Sequence, residues 1–218
     1  MKPLLLAVFI MPLMLACSPG TSDPTSPVKV EIVRSGDGYQ LLRGGEPYVI
    51  RGAGMSVDDI ERFALNGGNS IRNWTTISDT QDTQALLDSA HAHGVTVALG
   101  LPMHAERHGF DYDDAAAVER QLEAMRTEVL KYRDHPALLA WLIGNELDHS
   151  YTDPRVWDAV NDVARMIHEL DPNHPASTTL SGFKEEVINE ILARASDLDF
   201  FSFQLYGCLL YTSDAADD

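Results

Sequence analysis

The chain has 218 residues, enough for one domain or most of a larger one, and enough to bury a core without disulfide staples. Hydrophobic residues make up 44% and charged residues 22%, a globular balance that excludes wholesale disorder. Lys and Arg number 16 against 33 Asp and Glu, so the net charge of −17 argues against a nucleic-acid partner, and two cysteines, Cys17 and Cys208, supply neither a metal framework nor a disulfide scaffold.

In chain order, Met1-Lys2 is followed by an apolar run to Cys17 that Pro12 interrupts. One base and a short apolar stretch read as a secretory segment, too short to span a bilayer comfortably. Its end, Leu15-Ala16-Cys17, resembles a bacterial lipobox. That resemblance implies residues 1–17 as a lipoprotein signal, Cys17 as the lipidated residue, and an exported protein anchored to the membrane of the bacterial cell envelope, on its periplasmic or outer-membrane side. A plain signal peptide cut near Ala16 is the alternative. Residues 18–27 are rich in Ser, Thr and Pro and read as a disordered tether. Residues 28–47 hold two alternating runs, Val28 to Arg34 and Tyr39 to Arg43, each followed by a Gly-rich turn, and predict a β-hairpin. The hairpin is a candidate remnant of a leading β-domain.

From Tyr48 the rhythm changes. Strands are predicted over Tyr48 to Gly54, Asn69 to Trp74, Val95 to Leu101, Leu138 to Ile143, Ala176 to Leu180 and Leu198 to Leu205. Helices are predicted between them, over Val57 to Leu65, Thr80 to His93, Ala115 to Arg133, Pro154 to Leu170 and Glu185 to Ala195. Such alternation means parallel βα units of an α/β fold. The runs at 95–101 and 138–143 are almost wholly apolar, as in a sheet covered on both faces. A doubly wound sheet usually has a Gly-rich phosphate turn after its first strand, and Gly52-Ala53-Gly54 lacks the third glycine. The reading is therefore a (β/α)8 TIM barrel, truncated after about six βα units and occupying residues 48–207.

Residues 208–218, Cys208 to Asp218, break this pattern. They back-translate to a sequence resembling the transposon adapter of shotgun sequencing libraries. The expectation is an artefactual tail, with the natural frame uninformative beyond Gly207 and the chain an N-terminal fragment.

In a (β/α)8 barrel the chemistry sits at the C-terminal ends of the strands. Arg72-Asn73-Trp74, His104 with Glu106-Arg107-His108, Gly144-Asn145-Glu146, Thr179 and Gln204 to Gly207 all fall there. Glu146 directly follows an apolar strand and is placed as a general acid would be. Asn145 beside it offers an amide to a sugar hydroxyl. The plain alternative is a Glu146 that caps its loop or pairs with Arg72. His104 and His108 do not have the helical order of a zinc pair, and Gly109 follows at once, so no metal is expected and no cofactor is implied.

The stretch Trp141-Leu-Ile-Gly-Asn-Glu146 resembles the acid/base motif of clan A glycoside hydrolases, and its surroundings are closest to the family 2 catalytic barrel domain. The resemblance runs from Tyr48 to Gly207 and includes Ser70 to Trp74, His104 to Asp111, Tyr132 to Ala137, Asp171 to Pro175 and Asp199 to Tyr206. It implies a retaining glycosidase acting on a carbohydrate. Glu146 would be the general acid and then base, and Asn145 would bond the 2-hydroxyl. Arg72 and Tyr206 would hold the nucleophilic carboxylate, and Trp74 and His104 would line the sugar site. The nucleophile would be a Glu ending a seventh strand, which this chain lacks, so the chain as it stands is expected to be inactive. A non-catalytic carbohydrate-binding lipoprotein and a transglycosylase are the competing readings. Oligomeric state is not legible.

Overall fold

Alternation of period-two and period-3.6 segments becomes a curled sheet with helices on its outer face. The computed structural model describes residues 26–55 and 59–205. Strands β1 (Val30–Ser35), β2 (Gly38–Arg43) and β3 (Glu46–Pro47) form an antiparallel sheet. Strands β4 (Gly52–Gly54), β5 (Ser70–Arg72), β6 (Thr96–Leu101), β7 (Leu138–Ile143), β8 (Ala176–Leu180) and β9 (Phe200–Phe203) form a six-stranded parallel sheet in sequence order. Helices α1 (Ile60–Leu65), α2 (Thr83–Ala92), α3 (Ala115–Tyr132), α4 (Arg155–Leu170) and α5 (Glu185–Arg194) connect them. The result is an open half-barrel, the α/β arrangement expected of six βα units. Among the described residues no helix is long and apolar enough to cross a membrane.

Local chemistry sets the helix ends. Asp82 and Asp114 cap α2 and α3 by accepting from Gln84 and Ala85, and from Ala116 and Ala117. Helix α3 buries Gln121, Met125, Val129 and Tyr132, a helical spacing that lays one face on the sheet. Along the strands, Val97, Leu99, Leu101, Trp141 and Ile143 point to the helix side and share a core with Leu86, Met125, Trp157 and Ile167. All six residues of β7 are buried, because helices cover one face and the barrel interior the other.

That interior holds a cavity of about 380 Å³, lined by Ala98, Ala140, Leu142 and Thr179 from the sheet and by Ile32 and Leu41 from the hairpin. A bulge between Val97 and Ala98 leaves Leu139 unmatched, so it lines the cavity beside Ala140. The hairpin packs against the half-barrel. It covers the end of the barrel where the strands begin. Val30 N donates to Asn173 O at 2.7 Å, Arg43 Nη2 to Pro136 O at 2.7 Å, and the Tyr48 hydroxyl to Asn69 O at 2.7 Å.

Three strands, the edge strands β4 and β9 and the inner strand β5, are shorter than their sequence runs predict. The expected strand from Tyr48 shrinks to Gly52–Gly54, that from Asn69 to Ser70–Arg72, and that from Leu198 to Phe200–Phe203. Among the described residues β4 and β9 are paired on one side only, which limits how much backbone the ladder holds. Helix α2 starts at Thr83 rather than Thr80, because Asp82 is its cap.

Candidate active site

The ends of β5, β6, β7 and β9 bring together side chains that lie far apart in sequence. Beyond Ile143 the chain turns through Gly144 at φ 70° and Glu146 at φ 51°, both left-handed. A Cβ on Gly144 would lie 2.7 Å from Leu147 Cδ1, so glycine suits this turn twice over. A non-glycine residue in this region costs roughly 1–3 kcal/mol and persists where neighbours over-determine it. Here they do. Gly144 N donates to Leu101 O at 3.2 Å and Glu146 N to Thr179 O at 2.8 Å, bridging β6 and β8. The Arg107 guanidinium donates to Asn145 O at 3.2 Å and to Glu146 O.

The rest of the β7–α4 loop is tied down from both sides. Buried Asp148 accepts from Ser181 N at 2.8 Å and from Ser181 Oγ at 2.6 Å. Glu106 accepts from Thr152 N at 2.7 Å, from Asp153 N at 3.0 Å and from the Thr152 hydroxyl. The Thr152 bonds, with that from Asp153, hold the Glu106 carboxyl below the usual glutamate value.

Asn145 Oδ1 accepts from Arg72 Nη2 at 2.6 Å and from Gln204 Nε2 at 2.7 Å. A guanidinium only donates, so the atom facing it is the amide oxygen and the NH2 points away, available to a ligand acceptor. The Arg72 guanidinium also lies 5.5 Å from the centre of the Trp74 ring. Trp74 is 46% exposed and rests against Gly54, where a Cβ would come within 2.8 Å of the indole. His104 is held by its backbone: its N donates to Gln121 Oε1 at 2.8 Å and its O accepts from the Tyr112 hydroxyl at 2.5 Å. Burial pushes that hydroxyl above the usual tyrosine value. The exposed His104 ring stacks on Phe110, with centroids 5.5 Å apart.

Glu146 is half-buried, and among the described residues no ion pair joins it to Arg72, whose guanidinium is on Asn145 instead. Arg72, Trp74, Asn145 and Gln204 form one connected cluster, Glu146 follows directly on its floor, and His104 stands on the adjoining β6–α3 loop. Tyr206 and Cys17 lie outside the described residues. Gln204 and Arg107 are the additions of the structure. Both stood at strand ends in the sequence, but nothing there shows that one grips an asparagine oxygen and the other two carbonyls. Among the described residues no His, Cys, Asp and Glu group is arranged to hold a metal ion.

No protein-family model matches the chain, and no curated protein sequence matches it. Solved structures do. A β-D-glucuronidase from Dictyoglomus thermophilum aligns at 18% identity with a TM-score of 0.62, over 85% of this chain and 34% of that one. A glycosyl hydrolase family 2 member from Bacteroides cellulosilyticus aligns at 24% identity with a TM-score of 0.56, over 86% and 25%. A β-1,4-D-mannanase from Cryptopygus antarcticus aligns at 14% identity with a TM-score of 0.59, over 82% and 71%. The chain thus spans about a quarter to a third of the first two proteins. What it shares with all three is a fold, the half-barrel of βα units found in these glycoside hydrolases.

Proposed function

We propose that the chain carries the acid/base half of a retaining glycoside hydrolase that cleaves O-glycosidic bonds of a carbohydrate. The observation that carries this reading is Asn145. Its oxygen is engaged by two donors, its NH2 is left for a sugar hydroxyl, and the next residue is a half-buried carboxyl on a constrained turn. In this mechanism Glu146 protonates the leaving glycosidic oxygen and later takes a proton from water. The Asn145 NH2 donates to the 2-hydroxyl, a bond that strengthens as the oxocarbenium ion forms. Trp74 offers an apolar face to pyranose C–H groups, and Arg72 orients Asn145 while facing the place of a second carboxylate. Retention needs that carboxylate about 5–5.5 Å from Glu146, and in this reading it ends a further strand of the natural protein. The fold shared with a β-D-glucuronidase, a glycosyl hydrolase family 2 member and a mannanase supports the substrate class.

In the natural gene product, Glu146→Gln should lower kcat/KM on substrates with poor leaving groups by roughly 10²–10⁴-fold, and far less on aryl glycosides that need no protonation. Equal losses on both would remove Glu146 from the acid role. We also propose that Cys17 anchors the protein to the cell envelope, with residues 18–27 as spacer. Metabolic labelling should place a fatty acid on the wild type and none on Cys17→Ser; an unlabelled wild type would refute the anchor.

A further inference from the structure

At the end of the sheet opposite Glu146, the hairpin meets the first residues of β6 and the turn before β7. A cavity of about 240 Å³ lies in this corner, lined by Arg43, His91, Tyr48, Thr96 and Ser26 and, among the described residues, by no carboxylate. In a chain with 33 acids against 16 bases, that is a local reversal of charge. Arg43 spends one donor, Nη2, on Pro136 O at 2.7 Å. Its Nε is buried and has no hydrogen-bond partner among the described residues, and no ion pair reaches the guanidinium there. Burial holds Arg43 below the ordinary arginine value, as expected for a cation that has lost water without gaining a carboxylate.

Two acids, Asp88 and Glu46, stand nearby without lining the cavity, and Asp88 is close enough to His91 to interact with it electrostatically. Asp88, one helical turn before His91, takes His135 Nε2 at 3.1 Å and Gln84 Nε2 at 3.1 Å. Glu46 is the cross-strand partner of Arg43 in the β2–β3 ladder, yet no ion pair joins them among the described residues. The Tyr48 hydroxyl spends its proton on Asn69 O, so the donors left to a guest are Arg43, His91 and Ser26.

We propose that this cavity binds a phosphate-type oxyanion, with the Arg43 guanidinium as its cationic contact and the His91 ring as a further polar contact. A planar guanidinium with free N–H groups suits the edge of a tetrahedral oxyanion better than an ammonium does. Two sources share this chemistry, a free phosphate and the phosphodiester of a lipid headgroup. Ser26 in the cavity wall is where residues 18–27 reach the domain, so an anchor at Cys17 would turn this face toward a bilayer.

The test uses the whole 218-residue chain and does not depend on glycosidase activity. Inorganic phosphate at about 10 mM, set against chloride of equal ionic strength, should raise the unfolding temperature of the wild type by mass action. It should also broaden the ³¹P signal of phosphate. Arg43→Gln should weaken phosphate at least about tenfold, Arg43→Lys should keep part of the affinity, and His91→Gln should weaken it less. Flotation with phosphatidylcholine vesicles, with and without phosphatidylglycerol, separates the sources. Binding that needs phosphatidylglycerol and Arg43 assigns a headgroup, whereas a phosphate response without it assigns a free anion. If Arg43→Gln does not fold, Arg43→Lys and His91→Gln carry the comparison. A folded wild type that responds to neither probe overturns the site. So does a phosphate response unchanged in the variants, which would mean an adventitious ion only.

Discussion

Glu146 sits on a left-handed turn of the backbone, and the groups that hold it there do so through main-chain atoms. Arg107 takes two carbonyls, Thr179 takes the Glu146 N–H, and Glu106 holds Thr152 and Asp153 farther along the same loop. The Glu106 bonds are acid-sensitive. Its carboxyl is depressed below the ordinary value of 4.5, so the unfolded chain takes up a proton more readily than the folded one. The stability it contributes is complete above about pH 4.5 and is lost as pH falls through the depressed value. Urea unfolding should therefore show Glu106→Gln weaker than wild type at neutral pH, with the gap closing as pH falls below about 4.5. A gap that stays constant across that range would refute this account. The exposure of Glu106 keeps the expected difference small.

Between elements, close approach is what assembles the site. Strand β6 passes so near the end of β5 that a Cβ on Gly100 would lie 2.3 Å from Trp74 O and 2.9 Å from Asn73 O. Both obstacles are backbone, so no side chain can swing aside. Gly100→Ala should destabilise the protein by about 1–3 kcal/mol and should shift Trp74, whose indole already rests on Gly54. A urea midpoint and the tryptophan emission maximum read the two effects. An unchanged midpoint would mean that β5 and β6 separate more easily than their pairing at Ser70–Thr96 and Arg72–Ala98 suggests. At the other end of the sheet, Trp141 Nε1 donates to buried Asp171 Oδ2 at 2.8 Å, and His174 Nδ1 bonds the same oxygen at 2.8 Å. These contacts join β7 to the start of β8, although His174 Nε2 is buried without a hydrogen-bond partner among the described residues.

The whole molecule is an open sheet. Strands β4 and β9 each offer a free edge among the described residues, and β4 is exposed along its length. Phe183, 71% exposed, lies near β9 with its ring 5.7 Å from Phe203. Unpaired strand edges are templates for pairing with another chain. The 218-residue chain should therefore self-associate with rising concentration, and sedimentation velocity should show species beyond the monomer. A sharp monomer over a hundredfold range of concentration, of about two decades, would refute the expectation. The proposed natural protein closes the ring with further βα units, the next strand ending in a Glu opposite Glu146. Its genomic locus, read past codon 207, decides this, and a stop after Asp218 would sink the proposal.

The sequence by itself determined the order and kind of the elements from Tyr48 to Leu205. Alternating apolar runs and helical spacing are local, and each βα unit buries its apolar face against the next. It also placed Asn145 and Glu146 at the end of a wholly buried strand, because the break from Leu138–Ile143 to Gly144 is visible in one dimension. Only the tertiary structure decided the rest. Arg72 and Asn145 stand 73 positions apart, and Gln204 and Asn145 stand 59 apart, so no local pattern links them. Arg107 binds carbonyls, which every residue carries, so its partners leave no trace in residue types. The two-strand pattern of the hairpin announced its form but not its place, since what it covers is a cavity walled by distant strands of the parallel sheet. The edge strands came out short for a related reason: their apolar runs encode burial, and burial depends on neighbours that a linear sequence does not supply.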